Sequence, residues 1–91
     1  MYIVKFTTKF KKRYKTLVKR GYDMSLIDKV IDVLREGRSL DGKYKDHILS
    51  GDYAGCHECH IKPDWLLVYS FFDDVLVLTL IDTGTHSDIF G

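Results

Sequence analysis

The 91-residue sequence is sparing with proline (one), cysteine (two) and tryptophan (one), and it has no acidic residue before Asp23. One proline and seven glycines exclude a collagen-like or proline/glycine-rich low-complexity chain. No run approaches the roughly 20 apolar residues of a membrane-spanning helix, which argues against a membrane partner. The opening MYIVKFTTKF lacks the apolar core of a secretory signal, so a cytoplasmic location is expected, with Cys56 and Cys59 as reduced thiols. No internal repeat is visible. The length allows one domain over residues 1–91, and 45% apolar with 30% charged residues is the make-up of a soluble globular protein.

The net charge of +1 conceals an asymmetry. Lys5, Lys9, Lys11, Lys12, Arg13, Lys15, Lys19 and Arg20 precede the first acid, so all 13 acids fall in a chain segment with only six further bases. A basic arm on an acidic body suits a surface that meets phosphate or an acidic protein, although a lysine-rich helix also serves simply as a solvated face.

Tyr2 to Thr7 alternates and is rich in branched and aromatic residues, so it reads as a strand. With Thr8 as N-cap, Phe10, Tyr14, Leu17 and Val18 recur at helical spacing, predicting a first helix to about Arg20 with its bases outward. Ser25 and Asp28 form a capping-box pattern ahead of Leu26, Ile27, Val30, Ile31, Val33 and Leu34, a second helix that ends before Gly37. Strand signals follow at 46–49, 55–61, 65–72 and 75–81, with Asp73-Asp74 as a two-residue hairpin link. The order β-α-α-β-β-β-β predicts an α+β fold, with both N-terminal helices packed on one face of a mainly antiparallel sheet and the other face open to carry a site.

Cys56-His57-Glu58-Cys59-His60 matches the C-x-x-C-H pattern of haem attachment and resembles a zinc string. In a strand, however, Cys56 and Cys59 have opposite parity and cannot converge on one metal, so small thiols filling space are the favoured reading and no metal or other cofactor is expected. Parity places His60 with Glu58 and Cys56 on the helix-free face, while His57 points the other way. His47, at the start of a short strand, and His86, after the last strand, are both placed to reach the surface that holds His60. Asp64 adds a carboxylate and Trp65 a large aromatic. Imidazoles beside a carboxylate, without a metal, point to proton transfer near neutral pH. Cleavage of RNA by its own 2′-OH needs that chemistry, with Trp65, Tyr69 or Phe90 available to stack on splayed bases.

Tyr44-Lys45-Asp46-His47, Leu49-x-Gly51, the run from Cys59 to Tyr69 (CHIKPDWLLVY) and the run from Thr83 to Gly91 (TGTHSDIFG) closely resemble the YafQ family of bacterial toxins, within the RelE superfamily. The resemblance spans essentially the whole chain and implies a RelE-like fold. It implies an mRNA interferase: a ribosome-dependent endoribonuclease that cleaves mRNA in the A site and is restrained by a cognate antitoxin. Carried over by motif, the catalytic set is His47, His60, Asp64 and His86, with His86 as general acid and either His60 or Asp64 as base. Trp65 and Phe90 are then RNA-binding, and Lys9, Lys11, Lys12 and Arg13 meet ribosomal RNA phosphates. Two positions depart from the family pattern, Asp82 and His57, where bases are common. An acid near the scissile phosphate opposes transition-state charge unless it faces away or orients a neighbour. The competing expectations are a catalytically weakened RelE-fold module that mainly binds its antitoxin, and a metal-binding protein built on residues 56–60.

Overall fold

In the computed structural model, which describes residues 1–91, the elements are β1 (Ile3–Phe6), α1 (Thr8–Lys19), α2 (Ser25–Arg35), β2 (His47–Ile48), β3 (His57–Lys62), β4 (Trp65–Phe72), β5 (Val77–Gly84) and α3 (His86–Phe90). One five-stranded sheet has the order β1-β5-β4-β3-β2. Its ladders are antiparallel except for β1, which runs parallel to β5. No helix is long and apolar enough to cross a membrane.

The amphipathic faces of the helices drive the packing. Phe10 and Leu17 from α1, and Ile27, Val30 and Leu34 from α2, are buried against Cys59, Trp65, Leu67, Tyr69, Leu78 and Leu80 on one face of the sheet. Each such side chain contributes roughly 1.5–3 kcal/mol when fully removed from water. The opposite face has a smaller cluster, Leu66, Val68 and Ile89, with Leu49, Tyr53, Cys56 and Ile81 against it. It is therefore partly roofed by α3 and by residues 49–56 rather than open throughout. Cys59 and Cys56 fall in different clusters, as strand parity requires, and burial pushes the Cys59 thiol up to about 12.

Three local expectations are corrected. Thr7, not Thr8, caps α1: its Oγ1 accepts from the Phe10 N–H at 3.0 Å. The expected Ser25–Asp28 box is absent because Asp23 captures both the Ser25 hydroxyl (2.6 Å) and its N–H (3.1 Å), which leaves Met24 at the cap. The link between β4 and β5 is four residues rather than Asp73-Asp74, since Asp73–Val75 forms a single 3-10 turn and Leu76 takes the left-handed conformation, φ 50°.

One irregularity shapes the site. Tyr69 pairs with Leu80 and Val68 with Asp82, so Ile81 is an extra residue in β5. Simple alternation would place Asp82 beside Leu78 and Leu80, under the helices. The bulge turns it to the Val68 face instead. Thr7 stabilises this bulge by donating its hydroxyl to the Ile81 carbonyl at 2.6 Å, which ties the start of α1 to β5.

Candidate active site

The face opposite the two long helices brings together residues from four elements. His47 on β2 pairs in register with Glu58 on β3, which pairs with Val68 on β4, which pairs with Asp82 on β5. One row along, His60 pairs with Leu66 and Leu66 with Gly84, just ahead of His86. The His47 and His60 rings lie 6.3 Å apart, and the His60 and His86 rings 6.0 Å.

Each imidazole is held by its Nδ1. That of His47 lies 2.8 Å from the Lys45 carbonyl, that of His60 lies 3.3 Å from the Pro63 carbonyl, and that of His86 lies 2.6 Å from Asp64 Oδ1. A carbonyl or carboxylate oxygen accepts, so in each ring Nδ1 carries the hydrogen and Nε2 is the nitrogen presented for proton transfer. The His47 and His60 Nε2 atoms converge on the same oxygen, Glu58 Oε1, at 3.4 and 3.8 Å. Glu58 is only 4% exposed, and its Oε2 has no hydrogen-bond partner.

Asp64 accepts from His86 twice, from Nδ1 and from the backbone N–H at 3.1 Å, and these bonds hold its carboxyl below the usual carboxylate range. The helix that carries His86 has its own lock. Thr85 Oγ1 accepts from the Asp88 N–H while Asp88 Oδ2 accepts from the Thr85 N–H, a capping box on a five-residue helix. Arg20, which caps the C-terminus of α1, binds Asp88 at 2.8 Å and, by that hydrogen bond first, depresses its carboxyl to about 2. Gly84 has φ +145°, and a Cβ there would meet Asp88 Oδ2 at 2.7 Å, so only glycine admits the close approach of α3 to β5.

All four residues expected to be catalytic, His47, His60, Asp64 and His86, thus stand on one surface. Strand parity missed the importance of Glu58, although it had placed that residue beside His60; the signal was an acid at an inward position of a strand. His57 does point away, stacked on the Tyr69 ring at 5.1 Å, with its Nδ1 3.5 Å from Asp46. Tyr69 donates to Asp46 at 2.6 Å, which anchors the loop that delivers His47.

The expected RNA-binding residues divide. Phe90 is half exposed, beside the site. Trp65 is not available for stacking: it is 2% exposed on the helix side, edge-on to Tyr22 at 4.9 Å, and its Nε1 donates to Thr83 Oγ1 at 3.0 Å. Tyr69 is likewise fully buried. Lys11 and Lys12 lie exposed on α1, as expected. Lys9 and Arg13 do not simply face outward, since Lys9 Nζ lies 3.8 Å and Arg13 Nε 3.3 Å from the fully buried Asp82 carboxylate. The acid at position 82 therefore arrives with cations from α1. No three His, Cys, Asp or Glu side chains stand together in a way that would hold a metal ion.

Comparison with known proteins agrees with this fold. Residues 2–91 match the family described as "Bacterial toxin of type II toxin-antitoxin system, YafQ". The mRNA interferase toxin YafQ of Escherichia coli K12 is 33% identical over 89 residues, covering 97% of this chain and 95% of that protein. A metal-bound toxin from Helicobacter pylori superposes with a TM-score of 0.93 at 42% identity, over 99% of this chain and 100% of that one. The E. coli DinJ–YafQ complex gives a TM-score of 0.90 at 32% identity over the full length of both chains.

Proposed function

Because the chain belongs to the YafQ family of type II toxin-antitoxin toxins, and is by that membership an mRNA interferase and endoribonuclease, we propose that its helix-free face cleaves RNA by metal-independent acid–base catalysis on the ribosome. The observation that carries this reading is the set of three imidazoles on one face of the sheet, each fixed by Nδ1 with Nε2 left free of a hydrogen bond. His60 Nε2 takes the proton from a ribose 2′-OH, and the oxygen attacks the adjacent phosphorus. His86 Nε2 gives its proton to the leaving 5′-oxygen. Between the two candidates for base, His60 is favoured because Asp64 is already occupied as the acceptor that orients His86. Asp64 places its carboxylate against His86 Nδ1, and the Glu58 carboxylate stands beside His60 and His47. When protonated, His47 offsets charge that develops on the phosphoryl oxygens. The H. pylori relative is metal-bound, whereas no three side chains here fit a metal.

The partner that restrains the toxin is an antitoxin protein, by analogy with the DinJ–YafQ complex. The other partner in this reading is the ribosome with its mRNA, met through exposed bases of α1 such as Lys11 and Lys12. Loss of either lysine should weaken ribosome binding and flatten its salt dependence, because fewer counterions are released.

Cleavage of message on translating ribosomes tests the mechanism. His86→Ala and His60→Ala should each slow cleavage about 10²- to 10⁴-fold and relieve the growth arrest caused by expression. Rates within about threefold of wild type for both variants, well short of the loss that removal of a general acid or base brings, would overturn it. Harmless expression of the wild-type chain would return the weakened, antitoxin-binding reading to favour.

A further inference from the structure

A second group of side chains lies on the catalytic face, away from the histidines. Lys9 and Arg13 are four residues apart on α1, so they share a stripe of the helix, and Arg20 continues that side. Their positive ends do not stop at the helix. Lys9 Nζ lies 3.8 Å from Asp82 Oδ2 and 3.2 Å from Tyr53 Oη. Arg13 Nε lies 3.3 Å from Asp82 Oδ1, and its guanidinium also donates to the Asp88 carbonyl. The carboxylate is beneath and the cations are above: the Asp82 side chain is 0% exposed, that of Arg13 30% and that of Lys9 54%. Asp82 Oδ2 has no hydrogen-bond partner of its own, so Lys9 is held by charge and retains N–H groups for another acceptor.

Aromatic surface adjoins these cations. Tyr53, bonded to Lys9, meets Phe90 edge-on at 5.8 Å. With Ser50, Asp52 and Ile89 these two rings line a shallow depression of about 480 Å³. A cationic rim beside a half-exposed aromatic is what holds one unit of a single-stranded nucleic acid, the phosphate on the cations and the base on the ring. Asp82 shares a row with Glu58, and His60 lies two strands across and two residues along, about 12 Å away by strand spacing and rise. The phosphate held there therefore flanks the one that is cleaved.

We propose that Lys9, Arg13, Tyr53 and Phe90 form a subsite for one RNA nucleotide flanking the cleaved bond, and that Asp82 is the positioning residue that draws the two cations from α1 onto the catalytic face. The proposal rests on the ribonuclease reading above. It also gives the acid at position 82 a role: it acts on the substrate only through the bases it holds. A buried ion pair is by itself weak evidence of a stabilising role, and a purely structural Asp82 would leave the response to substrate charge unchanged where a positioning one alters it.

The test is single-turnover cleavage on ribosomes programmed with messages that carry one neutral methylphosphonate linkage at each position within two nucleotides of the cut. Wild-type protein should lose roughly 10- to 100-fold in rate at one flanking linkage, as expected for one charge-assisted contact. Lys9→Met and Arg13→Gln should be slowed on ordinary message and should no longer respond to that linkage, whereas Lys19→Met should respond as wild type does. Asp82→Asn, which keeps both cations but frees them, should show a reduced response and a raised KM. If Asp82→Asn does not fold, the mostly exposed Lys9 decides the matter alone. Full sensitivity retained in Lys9→Met and Arg13→Gln, or a wild-type enzyme that cleaves but ignores every flanking linkage, would overturn the subsite. A wild-type chain that does not cleave, or a His86→Ala chain that does, would instead overturn the ribonuclease mechanism.

Discussion

Thr83→Val is the substitution that best separates a structural from a substrate-stacking role for Trp65. Thr83 is fully buried, and its hydroxyl makes two bonds: Oγ1 accepts from Trp65 Nε1 at 3.0 Å and donates to the Leu66 carbonyl at 2.7 Å. Valine keeps the shape and removes both. The indole N–H, in a side chain only 2% exposed, is then left without an acceptor. An unsatisfied buried donor costs about 1–3 kcal/mol, and the loss at the Leu66 carbonyl adds less because it can retain ladder bonding, so a total of about 2–3 kcal/mol is expected. With a urea m-value of about 1 kcal/mol/M for a domain of this size, the midpoint should fall by about 2–3 M. Far-UV circular dichroism reads the midpoint in every variant, since Trp65→Phe removes the only tryptophan, and a His86→Ala background permits expression. Thr83→Ser should stay near the parent. In a double-mutant cycle with Trp65→Phe, the pair should couple by about 1 kcal/mol, since either change removes the same bond. A midpoint for Thr83→Val within about 0.5 M of the parent, well short of that shift, or no coupling, would refute the account. So would a Trp65→Phe protein that remains folded at the assay temperature yet loses cleavage as severely as His86→Ala.

Three further outcomes follow from the geometry around α3. Gly84→Ala forces a methyl to 2.7 Å from Asp88 Oδ2 at φ +145°, and should displace His86, lowering both thermal stability and cleavage; crystallography or NMR of the variant would show α3 moved, and an unshifted helix would contradict the argument. Asp64→Asn keeps an acceptor for His86 but removes the charge, and because Asp64 is exposed the rate should fall only about 10- to 100-fold, less than for His86→Ala, with an altered pH–rate profile. Asp88 titrates near 2 when folded against an ordinary 3.8, so its contribution to stability is present above 3.8 and is lost as pH falls towards about 2. Asp88→Asn should therefore lower the melting temperature at neutral pH and flatten its acid limb in that window, and an acid limb unchanged by the substitution would count against the Arg20–Asp88 pair.

Much of this site was readable in the chain. The alternation Cys56, Glu58, His60 against His57, Cys59 correctly divided the two faces of β3, because a strand has a fixed period of two and β3 is regular until the shift near Lys62. The same rule fails for β5. Counting by twos from Leu80 puts Asp82 with the helices, and the bulge at Ile81 reverses it. Trp65 looked like a stacking surface because a large aromatic adjoins Asp64 in the chain; its parity with Leu67 and Tyr69 on an apolar strand was the better guide. Ser25 looked like a capping residue, and Asp23, two positions earlier, took its hydroxyl.

The sequence alone determined the class of the fold, the order of its elements, the separation of the two cysteines and the set of histidines with Asp64, because each depends on local period or on which chemical groups are present. Tertiary structure decided how those groups act. It placed Glu58 under two imidazoles from different strands, left Nε2 as the nitrogen without a hydrogen bond in all three rings by engaging Nδ1 at Lys45, Pro63 and Asp64, and brought Lys9 and Arg13 to Asp82. These are contacts between residues up to about 70 positions apart, made by a bulge and by the seating of one helix at the end of a sheet. Charge and hydrogen-bond direction act over a few ångströms in space, and separation along the chain does not set that distance.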